Sequence, residues 1–370
     1  MNRLSISIIL LIILHTISQQ PVAQEISLVF TGDIMGHSPQ INSAQSIDGS
    51  SYDYHECFRH ITPYLRDADI TAGNLEVTLG GAPYTGYPTF SSPDPLAFAL
   101  QDAGVDILVT ANNHSCDRRK KGIERTVKTL DDNFILRTGT FSDSLDLNKN
   151  NPLLIAVKGL RLALLNYTYG TNGIPVSSPN IVNLIHRESI TSHIATARAL
   201  KPDIVIVFIH WGTEYQTTPG KEQTDLAQFL FDQGVDIIIG SHPHVIQPMH
   251  WIRHEGQPDK LVVYSLGNFI SNQRKPLTDG GAMVRLTLSK KDTVTKITEA
   301  EYLLTWVHIP VIGGRKQYLV LPASIYDHQS LPSNLPEGFD EMYNYLKRAR
   351  EVMKNNTNFN EATEPWPLSQ

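Results

Sequence analysis

Six short stretches of this chain end an aliphatic run in side chains able to bind metal or move protons. They are TGDIMGH (31–37), GNLE (73–76), ANNHSCD (111–117), HWGTEY (210–215), GSHPH (240–244) and LGNF (266–269). Each has an ordinary reading on its own. Gly-Asp and Asn-Asn favour turns, His210 beside Trp211 fits a satisfied core histidine, and His242-Pro243-His244 fits either a rigid surface turn or one corner of a metal site. Taken together they supply carboxylate, carboxamide and imidazole without thiolate, a donor set that suits manganese, iron or zinc. Two such ions sharing an oxygen ligand would polarise an ester and activate water near neutral pH.

The elements that must position these residues are legible from the flanking pattern. Strands are predicted at 25–30, 68–72, 105–110, 204–209, 235–239 and 261–265, with a hairpin over 153–157 and 161–166. Helices are predicted at 55–66, 96–103, 118–132, 190–200, 221–232 and 336–353, and the text from 282 to 302 alternates like two antiparallel strands. Strand–helix alternation argues for an α/β domain with parallel strands. In such sheets ligands bind outside the carboxyl ends of the strands. Collected there are Asp33 and His37; Asn74 and Glu76; Asn112, Asn113, His114 and Asp117; His210 and Glu214; Ser241, His242 and His244; and Asn268. AGVDILVTANNH (103–114) and QGVDIIIGSHPH (233–244) repeat one architecture of turn, buried strand and polar loop. The Gly/Pro-rich loop GGAPYTGYPTFSSP (80–93) carries Tyr84, Tyr87 and Phe90, either as a substrate wall or as a lid packed on the domain.

In chain order, a strand-end Asp, a second acid, Asn-His, a lone His and Gly-x-His-x-His resemble the calcineurin-like metallophosphoesterase superfamily. The wording TGDIMGH, GNLEVTL, TANNHSCD, FIHWGTEY, IIGSHPHVIQP and YSLGNFI is closer to its branch of CapA-type capsule-synthesis, or poly-γ-glutamate biosynthesis, proteins, over roughly residues 26–290. The resemblance implies a four-layer α/β/β/α sandwich with a dinuclear site at the strand ends. By motif, Asp33 and His244 would serve the first metal, Glu76 would bridge, and Asn113, His210 and His242 would serve the second. His114 would act as the acid or leaving-group stabiliser. Two positions depart from the superfamily pattern: the first histidine stands four residues after Asp33, at His37, and the bridging acid is Glu rather than Asp. Asn74, Glu214 and Asn268 are expected to line the substrate cleft, although the general scheme has no place for Glu214.

Composition sets the remaining bounds. With 370 residues, 41% hydrophobic and 18% charged, the chain can bury a sizeable core. A formal charge of −6 with no basic run argues against nucleic acid as a partner. Arg3 followed by the apolar LSISIILLIIL (4–14) and a polar, small-residue stretch reads as a signal peptide over 1–23, too short to span a bilayer. An uncleaved N-terminal membrane anchor is the minor alternative. The expected organisation is therefore a leader, a domain over 25–310, and a C-terminal extension over 311–370 with a helix and a loose tail. Cys57 and Cys116, the two cysteines, are left open as a pair. The functional expectation is an exported, metal-dependent hydrolase-like protein working on an anionic or peptide-type envelope polymer, alongside capsule-synthesis membrane proteins. A non-catalytic polymer-binding or export component with a vestigial metal cleft is the alternative. A metal-free carboxylate set of Asp33, Glu76 and Glu214 for glycoside hydrolysis ranks last, because it leaves the histidines unexplained.

Overall fold

The structure, a computed structural model, describes residues 24–253, 258–328, 338–354 and 359–366. The leader expected over 1–23 lies outside the described residues. Two mixed sheets form the centre. In the first, the strands run in the order Leu319–Leu321, Val294–His308, Gly280–Lys291, Gln24–Ile34, Ile70–Leu75, Ile107–Val109 and Leu136–Thr138. The last four are mutually parallel, and Gly280–Lys291 lies antiparallel to Gln24–Ile34. The second sheet has the order Ile246–Ile252, Lys260–Leu266, Ile237–Ser241, Ile204–His210, Leu160–Thr168 and Leu153–Val157. Its four inner strands are parallel and both edge strands antiparallel.

Alternation along the strands decides the layers. Ile26, Leu28 and Phe30 of the first sheet face Ile204, Ile206 and Phe208 of the second in one buried core between the sheets. The intervening Val29 turns outward, where Phe58, Leu65, Leu96 and Leu100 bring helices onto the first sheet. Val205, Val207 and Ile209 likewise meet Ile190, Ile194, Leu226 and Leu230 from the helices Arg187–Ala199 and Lys221–Asp232. The period-2 strand pattern thus buries both faces of each sheet and yields the expected four layers, helix–sheet–sheet–helix.

Most predicted elements are found where expected. The hairpin turns at Lys158 and Gly159, both at positive φ as a two-residue loop of this kind requires. The helix expected over 55–66 is instead two pieces, His55–Phe58 and Thr62–Arg66. Pro63 explains the break, since it has no N–H to continue a ladder from the first piece but is tolerated in the first turn of the second.

The described residues after position 310 are knitted into the domain. Leu319–Leu321 adds an edge strand, Asn360–Glu361 pairs with Val294–His308, and the helix Asp340–Met353 inserts Met342, Tyr345, Leu346 and Met353 into the core between the sheets. The Tyr345 hydroxyl donates to the Gly281 carbonyl at 2.8 Å. Cys57 and Cys116 are free thiols in separate clusters. Among the described residues no helix is long and apolar enough to cross a membrane.

Candidate metal centre

The carboxyl ends of the parallel strands from both sheets converge on one buried cluster. Asp33 arrives on a bulge: the register of its strand shifts between Thr31 and Asp33 against Ile70–Leu75. Gly32 makes this possible, because a Cβ there would overlap the Gly267 carbonyl oxygen, to which the Asp33 N–H donates at 2.9 Å. The Asp33 carboxylate accepts from Asn74 Nδ2 at 2.8 Å and from the His242 backbone N–H at 3.2 Å. It is an oriented, well-supported group.

His244 Nδ1 lies 3.2 Å from Asp33 Oδ2 and 3.1 Å from Asn268 Oδ1. Both neighbours only accept, so Nδ1 carries the proton and Nε2 keeps its lone pair, 3.8 Å from Glu76 Oε1. Asn268 is itself fixed by donation from Nδ2 to Thr278 O at 2.8 Å. His210 ends its strand with Nδ1 3.0 Å from Ser241 Oγ and Nε2 2.9 Å from Asn113 Oδ1. Nδ1 also accepts from Asn74 Nδ2 at 3.2 Å and Asn113 Oδ1 only accepts, so Nε2 carries the proton and donates to Asn113, 3.6 Å from Glu76 Oε1; a bound cation would take the place of that proton. Asn113 is held in that orientation by donation to Asn172 Oδ1 at 3.3 Å.

Glu76 is different. It is fully buried, yet neither carboxylate oxygen has a hydrogen-bond partner among the described residues, and His242 Nδ1 is likewise unpartnered. Burial, then the negative charges of Asp33 and Glu214, push its carboxyl well above the usual carboxylate range. A buried acid left in this state calls for a proton or a cation. Burial and the neighbouring imidazoles have the opposite effect on the histidines. They hold His210 well below its ordinary pKa and His242 down at about 3, so both are neutral, the form that ligates metal. Two sets of ligand atoms lie within 4.8 Å of one another: Asp33, Glu76 and His210, and Glu76, His242 and His244. Glu76 is common to both, as a bridging ligand must be. His244 also lies 3.2 Å from Asp33, and the His210 and His242 ring centroids are 4.7 Å apart, so all of these groups share one cluster. The donor set fits divalent cations.

The His-Pro-His turn is bought with strained backbone: His242 has φ +99° and His244 φ +59°. Non-glycine residues at positive φ cost on the order of 1–3 kcal/mol each and concentrate at functional sites. Just above the ligands, His114 Nδ1 is 2.7 Å from Asp117 Oδ2, which also accepts the Phe90 N–H at 2.6 Å. Phe90 is buried edge-on against both His114 and His37, whereas Tyr87 is 74% exposed. The Gly/Pro loop is therefore packed at Phe90 and open at Tyr87.

The remaining sequence-predicted residues separate by depth. Asn74 and Asn268, expected on the cleft, are fully buried and hydrogen-bond Asp33, His210 and His244. Glu214 does line the open cleft, about 370 Å³, with His37, His114, Tyr215, His244 and Lys275. His37 caps a short helix through Gln40. Tyr169 was missed by the sequence reading: its ring lies 4.6 Å from that of His242 and stacks on His210. The signal was available, since Tyr169 directly follows the strand Leu160–Thr168, whose end had no candidate assigned. Lys275 follows no strand and carried no such signal.

The family described as "Bacterial capsule synthesis protein PGA_cap" matches residues 27–273. The capsule biosynthesis protein CapA of Bacillus anthracis is 29% identical over 281 residues, covering 73% of this chain and 66% of the relative. The PGA biosynthesis protein CapA of Bacillus subtilis (strain 168) is 28% identical over 280 residues, covering 72% and 69%. The chain thus spans about two thirds of the length of these relatives. Among solved structures, the chain is similar to the calcineurin-like phosphoesterase YfkN from Bacillus subtilis, with a TM-score of 0.46, 15% identity and coverage of 89% and 98%. It is also similar to the sulfate thiohydrolase SoxB of Thermus thermophilus, with a TM-score of 0.41, 15% identity and coverage of 88% and 60%. By the match over residues 27–273, this chain belongs to the bacterial capsule synthesis protein family PGA_cap.

Proposed function

We propose that this protein is an exported hydrolase of capsule or other envelope-polymer synthesis that holds two divalent cations, of manganese, iron or zinc type, at its strand ends. The observation that carries the reading is Glu76: a buried carboxylate with both oxygens unpartnered, shared by two sets of ligand atoms. In this reading Asp33, Glu76, Asn113, His210, His242 and His244 are the ligands, and Asn74, Ser241 and Asn268 orient them. When bound, the cations would supply Lewis acidity and lower the pKa of a water molecule. The chain's own contribution is a fixed, dry frame and a proton source. Asp117 holds the His114 ring with Nδ1 protonated and stabilises it when both nitrogens carry protons, so that Nε2 can deliver one to a leaving group in the cleft. Export is supported by the apolar, singly basic N-terminal text, and an anionic or peptide-type polymer by the names of the CapA relatives.

The test is elemental analysis of protein loaded with manganese or zinc, combined with a screen of phosphoester, γ-glutamyl and peptidoglycan-type substrates. Two divalent ions per chain, falling on Glu76→Ala, together with turnover by the parent alone, is the expected result. A parent that retains no ion after loading refutes the metal site. Polymer binding without turnover by a metal-loaded parent would instead assign the protein to polymer handling or export.

A further inference from the structure

Four large apolar side chains stand out of the surface at one end of the molecule, on three loops pinned to one short helix. That helix, Ser38–Ala44, begins beside His37, a residue of the cleft. Ser38 Oγ accepts the Gly86 N–H at 3.2 Å, which ties down the Gly/Pro loop and its exposed Tyr87. Arg315 donates to the carbonyls of Asn42, at 2.8 Å, and Gln45, and Ser43 Oγ donates to Lys316 O at 2.6 Å. These bonds seat the hairpin of Val311–Ile312 and Arg315–Lys316 on the helix, and Ile47 follows two residues after Gln45. Ile47 is 96% exposed, Val311 65% and Ile312 42%. Gly313 and Gly314 turn the hairpin at positive φ, and a Cβ on either would meet none of the described residues, so the tip projects into open space. A helix of this length spans only ~10 Å, so the three loops crowd one small area. It lies at the cleft end: Val294–His308 and Gln24–Ile34 are both antiparallel to Gly280–Lys291, so the hairpin leaves the sheet at the end where Asp33 stands.

A lone exposed aliphatic is ordinary, but a group of them on anchored loops marks a contact surface. Val311 and Ile312 are neighbours on a strand and point to opposite faces of the ribbon. A flat partner could cover only one of them, whereas a fluid interface covers both. Charge makes that interface anionic. Residues 80–93 and 309–317 contain no acid, and Arg315 and Lys316 belong to no ion pair among the described residues. Asp48, the one acid of residues 38–52, accepts from the hydroxyls of Ser46 and Ser50. We propose that Ile47, Val311 and Ile312, together with Tyr87, insert into an anionic lipid surface, with Arg315 and Lys316 at the level of its phosphates. The contact holds the mouth of the cleft against the lipid, so the site meets ligands that lie at that surface. It is independent of the metal reading, and of the residues ahead of Gln24, whose strand begins at the opposite end of the sheet.

The experiment is co-sedimentation of the chain from Gln24 onward, which holds every described strand and helix, with vesicles of phosphatidylcholine alone or mixed equally with phosphatidylglycerol. Chelator in every sample keeps the metal centre out of the result. The parent should partition onto the anionic vesicles and only weakly onto the neutral ones. Ile47→Ser and Ile312→Ser should each weaken that partition roughly tenfold, the share of one aliphatic side chain, and Lys316→Gln about fivefold. Exposed Phe134 precedes the strand Leu136–Thr138, at the opposite end of the sheet, and Phe134→Ser should bind as the parent does. All of these side chains are exposed, so the variants keep the fold, which urea midpoints check. A parent that stays in solution with both kinds of vesicle overturns the proposal. So does an equal loss in Phe134→Ser, or no loss in the Ile47 and Ile312 variants. Retention only by vesicles that carry membrane proteins would overturn it too, and would assign the loops to a protein groove.

Discussion

Glu76→Gln should have effects of opposite sign in the two metal states. In metal-free protein the Glu76 carboxylate is buried with no donor to either oxygen, while His210 Nε2 and His244 Nε2 stand 3.6 and 3.8 Å from Oε1. A glutamine of the same shape is uncharged and can donate to one of those nitrogens. An unsatisfied buried group costs about 1–3 kcal/mol, and more if charged, so the metal-free variant should be about 2 kcal/mol more stable than the parent at pH 8. The sign follows from the raised pKa. The parent's relative stability is full below the unfolded value near 4.5 and is lost as pH rises through the higher folded value, so the advantage of Gln appears only on the alkaline side. With cation present the order reverses. At free metal about 100 times its Kd the parent gains about 2.7 kcal/mol, and the variant, lacking the shared ligand, gains little of it. Urea unfolding of chelator-treated and manganese-loaded samples reads both terms. If Glu76→Gln lowers stability equally in the two states, the carboxylate is an ordinary structural group and the argument fails.

Other expectations concern pH, chemistry and packing. Burial pushes His37 down to about 4, so the folded chain keeps it neutral while the unfolded chain protonates near 6.5. Stability is lost as pH falls from 6.5 toward 4, by about 2 kcal/mol at pH 5, and metal-free His37→Gln should lack that share of the acid loss in denaturant titrations at pH 7 and 5. With a substrate identified by the screen, His114→Gln should lower kcat by about 10²–10⁴ with metal content unchanged; a matching loss of metal would make His114 a ligand. A Cβ on Gly240 would overlap the Tyr264 carbonyl, so Gly240→Ala should cost about 1–3 kcal/mol, and a urea midpoint unmoved from the parent's would show that the two strands separate freely there.

The parts legible in the sequence are those that local pattern controls. Ile204–His210 and Ile237–Ser241 are unbroken aliphatic runs, so their ends, and hence His210 and His242, could be located by inspection. What lay beyond reach depends on contacts distant in sequence. Asn268 and Asn74 share the residue type of a substrate-binding amide, and only the pairing of Asp33 with both of their strands shows them buried behind the ligands. The left-handed backbone at His242 and His244 was equally hidden, since no residue type there announces it. Lys275 reaches the cleft through a turn fixed by Asn268, a relation that no spacing encodes.

The helix Asp340–Met353 and the paired strands Gly280–Lys291 and Val294–His308 carry a practical consequence for any attempt to isolate the region around the candidate metal centre. The family match ends at residue 273, yet Gly280–Lys291 lies directly against the Asp33 strand, and the helix seals one end of the core between the sheets. A fragment cut at the family boundary would expose the hydrogen-bonding edge of the strand that carries Asp33, together with the apolar faces of Leu28 and Phe30. Such an edge recruits other chains, so the fragment should aggregate rather than report on activity. The smallest self-sufficient unit therefore extends past the family-matched residues to at least Met353.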